Sequence, residues 1–359
     1  MLERRYQHAC AAGSFAFAAL ALLAANAAHA APVAYVTSEK AGVGVIDLDS
    51  MTLQKTFSIG ASGPRGLGLN DEGTRLLVAD KNTGELAAID TATGKVVEHV
   101  KIGKNPEYVR VHGGRAYVTY EPGDTGKPEP SAAGGKGGKG GDDDDANKPP
   151  AEIAVVDLKT WQVIHSVKSG HETEGVEFSR DGSLMLVTNE GDDTVSIYRT
   201  DTAEPVKTVK LAAGGRPRGI KASPDGKTYL VTLESLSKFV VLDAGDYHVV
   251  KTVDTKLGPY GIAYGPAGKH IVVAAARDKT LQVFDAKTYA HITDAPIGQR
   301  CWHFSYTPDG AKLMLACGRS DAVYVLDAKT YAPIKQIGNL PLAWGIVTYP
   351  PSDGSIESR

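Results

Sequence analysis

Cysteine is scarce in this chain: there are three in 359 residues, with no Cys-x-x-Cys pair and no covalent-haem signature. A dense disulfide framework and a conventional structural zinc site are therefore excluded as the organising chemistry. Histidines are scattered and no HExxH occurs, and no G-x-S-x-G elbow marks a serine hydrolase. Charge of one sign is not in excess, with 39 basic against 42 acidic residues. Lys and Arg are spread along the chain instead of forming a stripe, so nucleic acid is not an expected partner. Long hydrophobic runs are absent beyond the N-terminus. There, Arg4 and Arg5 precede the apolar stretch Ala11 to Ala25 and the small-residue site Ala28-His29-Ala30. This pattern predicts a cleaved export signal over 1–30, a periplasmic location and no integral membrane segment in the mature chain.

What the chain does have is internal repetition. Seven segments superpose, beginning at Gly63, Asn105, Glu172, Arg216, Gly258, Arg300 and Leu342, and their third residues are 42, 67, 44, 42, 42 and 42 apart. A unit of this length holding several short β-rich runs fits one four-stranded propeller blade. The first mature unit opens at second-strand sequence, Tyr35-Val36-Thr37, and Leu342 to Thr348 supplies its missing first strand. The expectation is an all-β, seven-bladed propeller over 31–350, closed by a C-terminal innermost strand that completes the N-terminal blade, with a tail at 351–359. The 67-residue interval places an insertion over 120–150, rich in Gly and Pro and ending in Asp142-Asp143-Asp144-Asp145. Its composition predicts a mobile acidic loop. A repeated aspartate (Asp47, Asp90, Asp157, Asp243, Asp285, Asp327) ends each third strand except at Arg199, and is expected to hold the following turn.

Tyr35-Val36-Thr37-Ser38, Leu186-Val187-Thr188-Asn189, the RPRGI segment from Arg216 and the SPDGKT segment from Ser223 resemble the YVTN-repeat propeller family. The segment from Gly298, GQRCWHFSYTPDGAKL, together with Pro341 to Gly345 resembles periplasmic propellers associated with PQQ-dependent alcohol oxidation. That resemblance implies an accessory role in redox metabolism.

Registering the blades puts Arg65, Glu107, Glu174, Arg218, Tyr260, Trp302 and Trp344 around one mouth of the central channel, with Glu172, Arg216 and Arg300 one step outward and His303 beside Trp302. Arginines clamp carboxylates and aromatics stack on planar ligands, so a small organic anion or a periplasmic redox protein is the expected partner. The competing expectation is that these residues pair with one another and simply pack the entrance. His171, on the same rim, offers a ligand contact or a packing role. No cofactor is named by the residues. The function reading is a binding or accessory propeller; the alternative is an oxidoreductase with a non-covalent cofactor, or a metal-dependent hydrolase drawing on Glu107, Glu174, Asn189 and His303. Cys301 and Cys317, equidistant from the Asp309 turn, are the two cysteines left after the leader, and either form a disulfide across the hairpin or pack as thiols.

Overall fold

A computed structural model describes residues 31–60, 63–122 and 149–356. The leader and most of the acidic insertion, Gly134 to Asp145 included, lie outside the described residues. The 28 strands form seven four-stranded antiparallel sheets. The last strand, β28 (Ala343–Tyr349), pairs with β1 (Val33–Ser38), so the two ends of the chain close the ring within one blade, as the repeat count implies. The remaining innermost strands are β4 (Pro64–Leu69), β8 (Val109–His112), β12 (Thr173–Phe178), β16 (Pro217–Ala222), β20 (Pro259–Tyr264) and β24 (Cys301–Tyr306).

Each blade is buried from the centre outward. Second strands such as β13 (Leu184–Asn189) and β17 (Thr228–Leu233) are almost wholly buried between neighbouring sheets, as a continuous branched-residue run requires. Outermost strands such as β15 (Pro205–Lys210) and β19 (Val249–Asp254) are mostly exposed and carry lysines, which discourage edge-to-edge pairing. The repeated aspartates do hold their turns: Asp90, Asp157, Asp285 and Asp327 each accept the N–H and the hydroxyl of a threonine three residues on.

The innermost strands are not regular. In six blades the pairing between first and second strands slips by one residue, as between Pro64 and Leu67 or Pro217 and Ile220. Such a bulge adds a residue to one strand and re-aims the side chains beside it. A threonine from the second strand fills the break. Thr188 Oγ1 accepts the Gly175 N–H at 2.8 Å and donates to the Arg218 carbonyl of the next blade at 2.7 Å. Thr232 does the same between Gly219 (2.9 Å) and the Tyr260 carbonyl (2.8 Å), and Thr37 between Gly345 (2.9 Å) and the Arg65 carbonyl (2.5 Å). The Thr of the YVTN-like segments is thus an inter-blade clamp. Glycine follows the clamped position because the next blade's backbone lies against it: a Cβ on Gly175 would sit 2.7 Å from the Arg218 carbonyl, and one on Gly219 would collide with that of Tyr260.

Cys301 and Cys317 face each other in register and are joined as a disulfide. It should stabilise the blade by roughly 2–3 kcal/mol, the range for a loop this short. Non-reducing peptide mapping should recover the two linked peptides, and Cys301→Ser/Cys317→Ser should lose that stability in denaturant titration. Thr188→Val and Thr232→Val keep the shape but strand a buried N–H and a buried carbonyl. Each should cost about 1–3 kcal/mol by urea unfolding, with the fold retained.

Candidate functional site

The first residue of each repeated segment sits at the channel mouth in a left-handed or related positive-φ conformation: Gly63, Asn105 (φ 48°), Glu172 (51°), Arg216 (52°), Gly258, Arg300 (55°) and Leu342 (53°). Non-glycine residues adopt this backbone at a cost, and they do so where surrounding bonds enforce it. Arg216 N–H donates to Asp193 at 2.8 Å and Leu342 N–H to Asp321 at 2.9 Å. In the six bulged blades the turn brings the third residue of the segment onto the bulge. In sequence, only the two glycines in register, Gly63 and Gly258, hinted at it.

The mouth this creates is an ionic network. Arg65 pairs with Glu107 and, at 3.1 Å, with Glu39, which Lys81 also reaches at 2.6 Å. Arg218 pairs with Glu174, Glu190 and Glu234, the last at 2.7 Å, while Arg216 pairs with Glu190 and Glu172. Glu234 also draws in Arg277 (3.0 Å) and Arg300 (3.5 Å). Tyr260 donates its hydroxyl to Glu174 at 2.8 Å, and its ring lies 5.2 Å from the Arg218 guanidinium. A recess of about 260 Å³ opens over this network, walled by Arg65, Glu107, Glu172, Glu174, Arg216 and Arg218, with Glu190 at its side.

The sequence reading therefore located Arg65, Glu107, Glu172, Glu174, Arg216, Arg218, Arg300 and Tyr260 on one connected surface. It missed Glu39, Glu121, Glu190 and Glu234, although each directly follows a second strand, at the same register, after Ser38, Tyr120, Asn189 and Leu233. The aromatic half departs from expectation. Trp344 is buried, with the His303 ring 4.2 Å away edge-on, and His303 also meets Tyr260 (6.0 Å) and Tyr108 (5.8 Å). His303 and Tyr108 occupy the position that is glycine in the other five blades, so their rings fill the space that glycine leaves open. Trp302 instead packs over Gly318, which leaves no room for a side chain there. Below the rings, Ile356 of the C-terminal tail closes the channel: its carbonyl accepts from Tyr108 Oη (3.1 Å) and Arg110 (3.0 Å).

The four-residue metal set does not assemble. Asn189 spends its side-chain amide within its own blade, on Ser169, Gly170, Thr173, Thr194 and Ser196, and Glu107 and Glu174 are held by arginines. His171 pairs with Asp192 at 2.8 Å. Among the described residues, the one group with ligand atoms close enough for a cation is Asp243, Asp246 and His248. It is an outer turn of blade five, where Asp243 already accepts the Gly245 and Asp246 N–H groups, remote from the channel.

Two carboxyl groups on Arg218 are pushed apart. Burial alone would raise Glu174, but Arg218 and the Tyr260 hydroxyl outweigh it and hold the group below its ordinary value. Glu190 is pushed up to about 9, chiefly by burial and then by the neighbouring Glu174 and Glu172 charges, against the pull of Arg218 and Arg216. Environments that separate two carboxyl groups in this way supply an acid and a carboxylate in one site.

Fold and site together define a seven-bladed propeller whose channel is sealed below and carries an arginine–glutamate recess above. The chain belongs to the lactonase, 7-bladed beta-propeller family, whose model matches residues 144–333. This corrects the resemblance to YVTN-repeat propellers of PQQ-dependent alcohol oxidation: the matching residues were those of the inter-blade clamp and turns, which belong to the architecture. No curated protein matches the chain. Similar solved structures include the periplasmic gluconolactonase PpgL of Pseudomonas aeruginosa (17% identity over 88% of this chain and 99% of that one, TM-score 0.70). A functionally unknown protein from Desulfotomaculum acetoxidans is 14% identical over 88% and 98%, with TM-score 0.71. Hydrazine synthase of Kuenenia stuttgartiensis is 20% identical over 74% and 77%, with TM-score 0.60. At these identities the likeness is one of fold. Among the described residues, no helix is long and apolar enough to cross a membrane.

The raised Glu190 carboxyl has a consequence for stability. Its proton is bound more tightly in the folded than in the unfolded chain, so its contribution is complete below the unfolded value and is lost as pH rises toward about 9. Glu190→Gln cannot lose that proton. The melting temperature of the variant relative to the parent should therefore climb by a few degrees between pH 5 and pH 9, measured by calorimetry at matched ionic strength.

Proposed function

We propose that the recess above the channel hydrolyses a small lactone to its hydroxy acid. The observation that carries this is geometric: Glu174 and Glu190 share Arg218 in one recess, Arg216 also pairs with Glu190, and the surroundings raise the Glu190 carboxyl while Arg218 lowers that of Glu174. Family membership and the activity printed for PpgL support the same reaction class. It is the hydrolase alternative of the sequence reading with the expected metal set removed.

The chemistry follows from the groups present. Arg216 and Arg218 offer guanidinium donors to the carbonyl oxygen as it becomes an oxyanion. A carboxylate of the recess, Glu174 or the more exposed Glu172, takes a proton from the attacking water. The bond from the carbonyl carbon to the ring oxygen breaks, and Glu190 donates its proton to the departing alkoxide. The product is an open-chain hydroxy acid, and the proton taken from water restores the acid. Export through the 1–30 leader, supported by the periplasmic description of PpgL, would place this reaction in the periplasm.

The test is a pH-stat assay with glucono-δ-lactone as probe, corrected for the uncatalysed rate. The protein should accelerate ring opening, and Glu190→Gln should lower kcat by about 100-fold or more, the usual size of a general-acid contribution. Ring opening no faster than buffer, or an unaffected Glu190→Gln, would reject the proposal.

A further inference from the structure

Arginines at a channel mouth invite an anion, yet each of the three that wall this recess is already engaged. Arg216 pairs with Glu172 and Glu190, and Arg218 with Glu174, Glu190 and Glu234. Glutamates outnumber arginines in the lining by five to three, and Lys104 reaches one of the five, Glu121, at 3.6 Å.

The recess has two ends. Arg216 and Arg218 of blade five stand with Glu174 and Glu190 at the reacting end, while Arg65 of β4 and Glu107, which precedes β8, wall the other. There Arg65 is held by Glu107 and, at 3.1 Å, by Glu39, and Lys81 reaches Glu39 at 2.6 Å. Two cations thus meet two carboxylates. The backbone fixes Glu107 over its partner: its N–H donates to the Thr119 carbonyl at 3.0 Å, and its carbonyl accepts the Gly66 N–H of the neighbouring blade at 2.8 Å. A Cβ on Gly66 would collide with that carbonyl, so the glycine beside Arg65 is what lets Glu107 approach. Side-chain exposure is 19% for Arg65 and 21% for Glu107, and solvent ions screen such a partly buried pair only weakly.

A ligand group arriving at this end meets a carboxylate as readily as a guanidinium. A hydroxyl can donate to the first and accept from the second without adding charge. A phosphate must either lie against Glu107 or displace it from Arg65, and both the desolvation and the like-charge contact weaken binding.

We propose that Glu107 is a specificity-determining residue: by covering Arg65 it restricts the recess to uncharged lactones that carry hydroxyl groups and excludes those that carry a phosphate. That the ligand is hydrolysed rests on the lactonase reading above; which ligand enters rests on the ion pairs alone.

Calorimetric titration and ligand-observed NMR on the mature protein test this with D-glucono-δ-lactam, which keeps the ring and the hydroxyls but resists hydrolysis, and with its 6-phosphate. The lactam should bind, and the 6-phosphate should bind about 100-fold more weakly, the cost of one unfavourable charge contact. Piperidin-2-one, the same ring without hydroxyls, should bind at least about tenfold more weakly than the lactam. Glu107→Gln keeps the side-chain shape and uncovers Arg65. It should narrow the phosphate gap by about tenfold through tighter binding of the 6-phosphate, a gain that misfolding does not produce. Glu107→Asp, which keeps the charge, should retain most of the gap. Because lactam binding needs no turnover, a protein inactive in the pH-stat assay would reject the lactonase reading and leave the titration to decide this one. Equal binding of the two lactams by the parent, no binding of the neutral lactam, equal binding of piperidin-2-one, or an unchanged gap in Glu107→Gln would overturn the proposal.

Discussion

A threonine hydroxyl that bonds two blades at once is the interaction on which the rest of this molecule depends. The innermost strands must bulge to turn their side chains toward the channel, and a bulge breaks the ladder and leaves a buried N–H without its strand partner. Thr37, Thr188 and Thr232 each accept that N–H and pass their own proton to the carbonyl of the next blade's mouth residue. Stability and site geometry are therefore coupled. The carbonyls so clamped belong to Arg65 and Arg218, whose side chains wall the recess, and to Tyr260, whose hydroxyl holds Glu174 there.

Given that clamp, the mouth is an ionic network in which Arg65, Arg216 and Arg218 each reach more than one carboxyl group and Glu190 and Glu234 each serve more than one arginine. Such networks resist pairwise dissection, because removing Arg218 would leave Glu174, Glu190 and Glu234 short of compensation at once. They also do something a neutral pocket cannot: burial and neighbouring carboxylates raise the Glu190 carboxyl while Arg218 and the Tyr260 hydroxyl hold that of Glu174 down. Two unusual blades then give the channel its floor. Tyr108 and His303 stand where glycine lets neighbouring strands approach, and the tail brings Ile356 beneath them. One open tunnel thereby becomes two recesses, one over the arginine–glutamate network and one beside Arg110, Glu177 and Lys221.

The YVTN-like residues explain why the repeat was readable while the chemistry was misassigned. Thr188 and Asn189 of that motif are consumed by hydrogen bonds within and between blades. A motif whose atoms are all engaged in holding strands together reports on how the strands are held. The residues that set the site apart, Glu190 and Glu234, lie one place beyond the second strand, a register held by glutamate also at Glu39 and Glu121 but by Lys81, Ala276 and Gly318 in the other three blades.

By itself the sequence determined the number of blades, the closure through the C-terminal strand, the turn aspartates, the facing cysteines and the cationic and acidic membership of one rim. Each of these follows from local periodicity, which repeats along the chain and needs no knowledge of what lies across the channel. Tertiary structure decided which charges meet, which carboxyl group is raised and which lowered, that Trp302 packs over Gly318 while Trp344 and His303 are buried against each other, and that the tail seals the channel. Those outcomes depend on a one-residue bulge, a left-handed turn at non-glycine residues such as Arg216, and contacts between blades more than forty residues apart. A hydroxyl, a carboxylate and an indole carry the same symbol in a sequence whether they face a ligand or a neighbour; only the closed ring of blades brings the partners within reach.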